Sequence, residues 1–171
     1  MVIWFLIQSF NQRQSIVIID DETVYLPKSL EFVEANDLHI AQAKLAVQAL
    51  LNRDSVGVDN SSQLRRLYGH QAFEKAKALI KREGVEFEVK QLHQKVEIID
   101  VNLLRLRSDS VKVLVSGNLI RAGRFEDENL IEVLEFKMNL LFQRNHNMAV
   151  NGRYPTVVTD FQIQSSPVSS Q

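Results

Sequence analysis

The feature that most restricts the fold of this chain is the run Leu134, Phe136, Met138, Leu140 and Phe142, apolar at every second residue with Glu135, Lys137, Asn139 and Gln143 between. A period of two gives a strand one dry face and one wet face. Val111, Val113 and Val115 repeat the pattern, and Ser108-Asp109-Ser110 separates them from the run Val96 to Leu106. Asn145 to Pro155 is rich in turn residues, and Thr156 to Gln164 alternates again. Consecutive strands joined by short turns predict an antiparallel meander, whose dry face other parts of the chain must cover.

The cover comes from the middle of the sequence. Asp37 is placed to cap a helix whose Ile40, Ala43, Val47, Leu50 and Leu51 share one stripe. Arg53 to Val58 interrupts it, and Asp59-Asn60-Ser61-Ser62 offers a cap for Gln63 to Tyr68. Gly69 breaks the chain before His70 to Glu83, with Phe73, Ala76, Leu79 and Ile80 on one side and Lys75, Lys77, Lys81 and Arg82 largely on the other. Gly84 stands where a helix-ending glycine belongs, and Val85 to Leu92 reads first as a strand from the alternation of Val85, Phe87 and Val89, while its charged flanks also suit a helical tail. Helices followed by strands make an α+β fold with the helices packed on a curved antiparallel sheet. Its expected core is Ile40, Val47, Leu50, Phe73, Ile80, Leu134, Phe136, Met138 and Leu140.

At 171 residues, with 45% hydrophobic and 24% charged residues, the chain suits a single domain over 37–164, with a polar, disordered tail at 165–171. A net charge of −1 and a pI near 6.4 exclude a global field that draws nucleic acid or an anionic membrane. The absence of cysteine removes thiol catalysis, thiolate metal sites and disulfides together.

Residues 1–12 form an apolar stub and 13–36 an extended lead-in. Met1 to Ile7 is too short to span a bilayer and lacks the basic region and cleavage site of a signal peptide. It reads either as a buried first strand or helix, or as the outer end of a membrane helix whose earlier part precedes Met1, with Trp4 at interface depth. Gln14 to Ile19, and Thr23 to Leu26 before Pro27, read as short extended segments near an edge.

No arrangement of residues argues for catalysis or for a cofactor. Asp20-Asp21-Glu22 has the carboxylates for a hard cation but neither the alternating ligands nor the turn glycine, and reads as a solvated turn. His39, His70, His93 and His146 share no metal-ligand spacing and read as structural or surface residues. Neither GxSxG nor SxxK occurs. Arg65-Arg66, Arg105 with Arg107, and Arg121 with Arg124 read as a charged, solvated face, since no aromatic residues interleave with them as in a nucleic-acid strand.

The layout resembles the periplasmic domain of the TraE family of conjugative transfer proteins and the related VirB-type assembly factors of type IV secretion systems. The likeness rests on the stub Met1 to Ile7, the extended Arg13-Gln14-Ser15-Ile16-Val17-Ile18-Ile19, helices at Asp37 to Arg53 and His70 to Glu83, and a long antiparallel finish through Thr159-Asp160-Phe161. The resemblance implies a cystatin-like, nuclear-transport-factor-two-like cone. It also implies a non-enzymatic scaffold with no cofactor, held at the inner membrane by a single helix upstream, that faces the periplasm, self-associates and contacts other secretion-channel proteins, with no direct contact to nucleic acid.

Two other readings stand beside it. A cone can enclose a ligand, as in a ketosteroid-isomerase-like enzyme or small-molecule binder, and Asp100 and Asp160 are then the acids to consider, although their alternation turns them toward water. A cytosolic interaction module, with Met1 to Ile7 completing the sheet and Trp4 in the core, is the other.

Overall fold

In the computed structural model, residues 16–19, 22–25, 32–126, 128–148 and 153–168 are described. Strands β1 (Ile16–Ile19) and β2 (Glu22–Tyr25) pair antiparallel as a sheet of their own. A single 3-10 turn at Phe32–Glu34 leads into α1 (Asn36–Leu51), followed by α2 (Ser61–Leu67) and α3 (His70–Val89). Strands β3 (His93–Leu106), β4 (Ser110–Phe125), β5 (Glu128–Arg144) and β6 (Thr156–Pro167) then form one sheet in sequence order, every pair antiparallel. The meander expected from the alternation is present, and the helices cover its dry face.

The period of two decides which face that is. Val111, Val113, Val115 and Leu119 of β4 are buried, and so are Leu134, Phe136, Met138, Leu140 and Phe142 of β5. Val113 lies opposite Leu140 and Val115 opposite Met138, so the two dry rows are continuous. Val47, Leu50 and Leu51 of α1 and Leu64 and Leu67 of α2 complete the core, each such side chain contributing about 2 kcal/mol by leaving water. Helix α1 lies on β3 and β4, and α2 and α3 on β6. At the α2–α3 junction the Gly69 N–H donates to Val158 O at 2.8 Å, and the buried Tyr68 hydroxyl donates to Ala46 O at 2.9 Å.

Bulges bend the sheet. The β3–β4 register shifts between Ile98 and Asp100 and again between Leu103 and Arg105, and β5–β6 shifts at Leu141/Phe142. Gly117 faces the first of these, where a Cβ would collide with Glu97 O, so the close approach of β3 requires glycine there. Glu126, at φ 49°, makes the tight turn between β4 and β5.

Five expectations need correction. Val85 to Val89 continues α3 and is no strand: Phe87 alone faces inward, while Val85 and Val89 are exposed and Lys90 pairs with Glu86 one turn back. Gly84 lies inside the helix. The stop comes at Gln91, left-handed at φ 45°, with Leu92 N–H donating to Phe87 O and Gln91 N–H to Glu88 O, a Schellman ending without glycine. Asp37 sits in the first turn of α1, and the cap position is Ala35. Ile40 is only half buried, because His39, Gln42 and Ala43 turn inward, while Phe73 and Ile80 are partly buried against the core. Ser165, Ser166 and Pro167, expected in the tail, complete β6 opposite Phe136, Glu135 and Leu134.

Candidate functional site

The structure separates the sequence candidates. Asp100 is exposed, and its carboxylate accepts from the Val101 N–H and the Asn102 amide beside it. Asp160 is exposed, and Lys75 Nζ donates to it at 2.7 Å, which holds its carboxyl below the usual carboxylate range. Neither acid points into an apolar cavity. His70, His93 and His146 lie at the surface. His39 is buried, its ring tilted 54° against the Phe32 ring at 4.5 Å with Nε2 2.7 Å from Phe32 O, and burial pushes its pKa down. Glu22 opens β2, while Asp20, Asp21 and the Met1 to Ile7 stub with Trp4 lie outside the described residues. Among the described residues no three metal-ligating side chains converge.

One polar cluster was not anticipated. Arg53, just after α1, and Arg121, on β4, are 4% and 9% exposed. Their guanidinium carbons lie 4.1 and 5.5 Å from the Phe87 ring centre, within cation–π range. Arg53 donates to Glu83, and Arg121 Nε donates to Gln94 Oε1 at 2.7 Å, with Glu132 3.4 Å away. The Gln94 amide in turn donates to Leu51 O at 2.8 Å. Arg121 is therefore no part of a solvated face. The signal lay in its register, since it continues the inward set 111, 113, 115, 117, 119. Arg53 had no such signal. Burial lowers its pKa and Glu83 opposes that shift, so the cluster binds the ends of α1 and α3 to the starts of β3 and the far end of β4.

The outer sheet face has a different character. Ile120 lies opposite Val133 and Ala122 opposite Ile131, and Val168 N–H approaches Val133 O at 3.4 Å. Ile131 is 77% exposed, and Ile120, Val133 and Val168 are exposed beside it. Four branched apolar side chains thus meet water together on the wet face near the β4–β5 turn. An apolar patch of this sort is a candidate contact surface.

These features define a class: a small α+β domain with helices on one face of an antiparallel meander, closed inside by packing and open outside. No protein-family model and no curated protein sequence matches the chain. Its fold is shared with solved domains of type IV secretion proteins. An IcmL-like type IV secretion system protein from Legionella pneumophila superposes with a TM-score of 0.54 at 14% identity, over 79% of this chain and 94% of that one. The periplasmic domain of DotI gives 0.56 at 11% identity, over 78% and 96%. A periplasmic fragment of TraM gives 0.54 at 14% identity, over 78% and 98%. Among the described residues no helix is long and apolar enough to cross a membrane.

Proposed function

We propose that this chain is a non-enzymatic assembly component of a type IV secretion or conjugative transfer apparatus, of the TraE and VirB-type kind, and that it works through protein contacts. The observation that supports this most is that its fold spans nearly the whole of three domains from such systems, at 94%, 96% and 98% of their lengths. In this reading the domain stands in the periplasm, is held to the inner membrane by a helix ahead of Met1, and meets other channel proteins. Self-association runs through the apolar patch around Ile131, whose uncharged centre is complementary to itself.

The test is genetic. Deleting the gene in its host is expected to abolish conjugative or protein transfer, with restoration by the wild-type gene and not by Ile131→Lys, provided that the variant accumulates normally. Undiminished transfer in the deletion strain overturns the reading. The ligand-pocket reading needed an acid inside the cone, and Asp100 and Asp160 both face water.

A further inference from the structure

We propose that the open edge of β6 from Phe161 to Pro167, with the groove that α3 forms beside it, is a docking site for an extended acidic segment of another polypeptide, which joins the sheet as an additional strand. The inference stands apart from the secretion reading, because it depends only on how the edges of this sheet are finished.

The two edges are treated differently. On β3, Arg53 and Gln94 exchange backbone hydrogen bonds of 3.0 and 2.7 Å, and Asn52 Oδ1 accepts from the Val96 N–H at 2.9 Å. Two bulges then break the rest of that edge, which discourages any added strand. On β6 the protection stops early. Gly69 N–H takes Val158 O at 2.8 Å and Lys75 Nζ takes Phe161 O at 2.6 Å.

Beyond Phe161 no described residue covers the edge. Val168 N–H turns toward Val133 O of β5, so the even residues face β5 and the N–H groups of Ile163 and Ser165 face the open side. Among the described residues nothing pairs with them. Pro167 falls in the same odd set, where its missing N–H costs the sheet no bond.

Beside this edge lies a groove of about 410 Å³, lined by Lys75, Ala78, Leu79 and Arg82 of α3 and by Phe161 to Ile163 of β6. The four helix residues fall at i, i+3, i+4 and i+7, so they share one face, with a small apolar middle and a cation at each end. Arg82 is 75% exposed and 3.6 Å from Glu83, whose carboxylate already holds Arg53. An incoming strand that turns an acidic, an apolar and an acidic side chain to the α3 side at i, i+2 and i+4 matches both features: the apolar side chain enters over Ala78 and Leu79, one carboxylate meets Arg82, the other lies beside Lys75, which already donates to Asp160, and the backbone pairs with Ile163 and Ser165.

The test titrates the protein, followed by amide NMR, with two acetylated heptapeptides of threonine that carry Glu, Val and Glu in one, and Lys, Val and Lys in the other, at positions 2, 4 and 6. The Glu peptide is expected to shift the Ile163 and Ser165 amides most, at an affinity at least tenfold above that of the Lys peptide. Ser165→Pro removes only an outward N–H and is expected to weaken the Glu peptide at least tenfold while leaving the melting temperature in place. The exposed Arg82→Glu is expected to reverse the peptide preference. Equal binding of both peptides, no shift at millimolar peptide, or shifts centred on Ile131 overturn the proposal. Concentration-dependent broadening of Ile163 and Ser165 without peptide assigns the edge to a second copy and overturns it as well.

Discussion

Arg121 and Gln94 form a buried hydrogen bond across the β3–β4 pair, with Nε donating to Oε1 at 2.7 Å, and the same glutamine passes its amide proton to Leu51 O at the end of α1. One side chain thus couples helix α1, β3 and β4. Gln94→Ala leaves the Arg121 Nε–H and the Leu51 carbonyl without partners in a dry site, and the expected loss of stability is about 3 kcal/mol. Urea unfolding of the single variants and of Gln94→Ala with Arg121→Met measures it. The double variant is expected to lose less than the sum of the two singles.

Two glycines respond in opposite directions to the same substitution. Gly84 lies within α3 with nothing within 4 Å of an added Cβ, so Gly84→Ala is expected to stabilise by about 1 kcal/mol. Gly117→Ala drives a methyl into the backbone at Glu97 and is expected to destabilise by about 3 kcal/mol. Paired thermal melts check both signs.

His39 sets an acid limit on stability. Its folded pKa lies below 6.5 because burial disfavours the cation, so the unfolded chain takes up the proton first. The stabilisation is complete above about pH 6.5 and is lost as pH falls through the folded pKa, with a slope of up to about 1.4 kcal/mol per pH unit. Asp54, Glu86 and Asp160 are shifted down from the carboxylate range and titrate below this window. Unfolding free energies at pH 7 and pH 5 are expected to differ in the wild type and to converge in His39→Leu.

The outer face supplies a separate test. Ile131 is 77% exposed in a chain without cysteine, so Ile131→Cys provides a single reactive position on an intact fold. Self-association through the patch is expected to give a rapid disulfide-linked dimer. Val133→Lys on the same face is expected to lower association at least tenfold in sedimentation equilibrium, with stability changed by less than about 0.5 kcal/mol.

The surface pair of Lys75 and Asp160 provides a contrast with the buried cluster. Both groups are about half exposed, at 48% and 55%, so Asp160→Asn is expected to cost less than about 0.5 kcal/mol in denaturant unfolding.

Whatever depends on residues a few positions apart was legible in the order of the amino acids. The period of two placed β4, β5 and β6 and told the faces of β4 and β5, while the bulge in β6 moved its inward set from Thr156 and Val158 to Phe161; Asn60 capped α2 through the Gln63 N–H, and Gly69 divided α2 from α3. The rest depended on how distant segments pack together. Whether Val85 to Val89 coils or extends turned on where Phe87 finds cover between two guanidinium groups. Whether an arginine is buried turned on partners far away in the chain, Glu83 thirty residues beyond Arg53 and Gln94 twenty-seven before Arg121. Burying a charge is tolerated only where hydrogen-bond partners converge on it, and that convergence exists in space alone. The edge of β6 follows the same logic, since the outward aim of the Ile163 and Ser165 N–H groups appears only once the pairing of β6 with β5 is known.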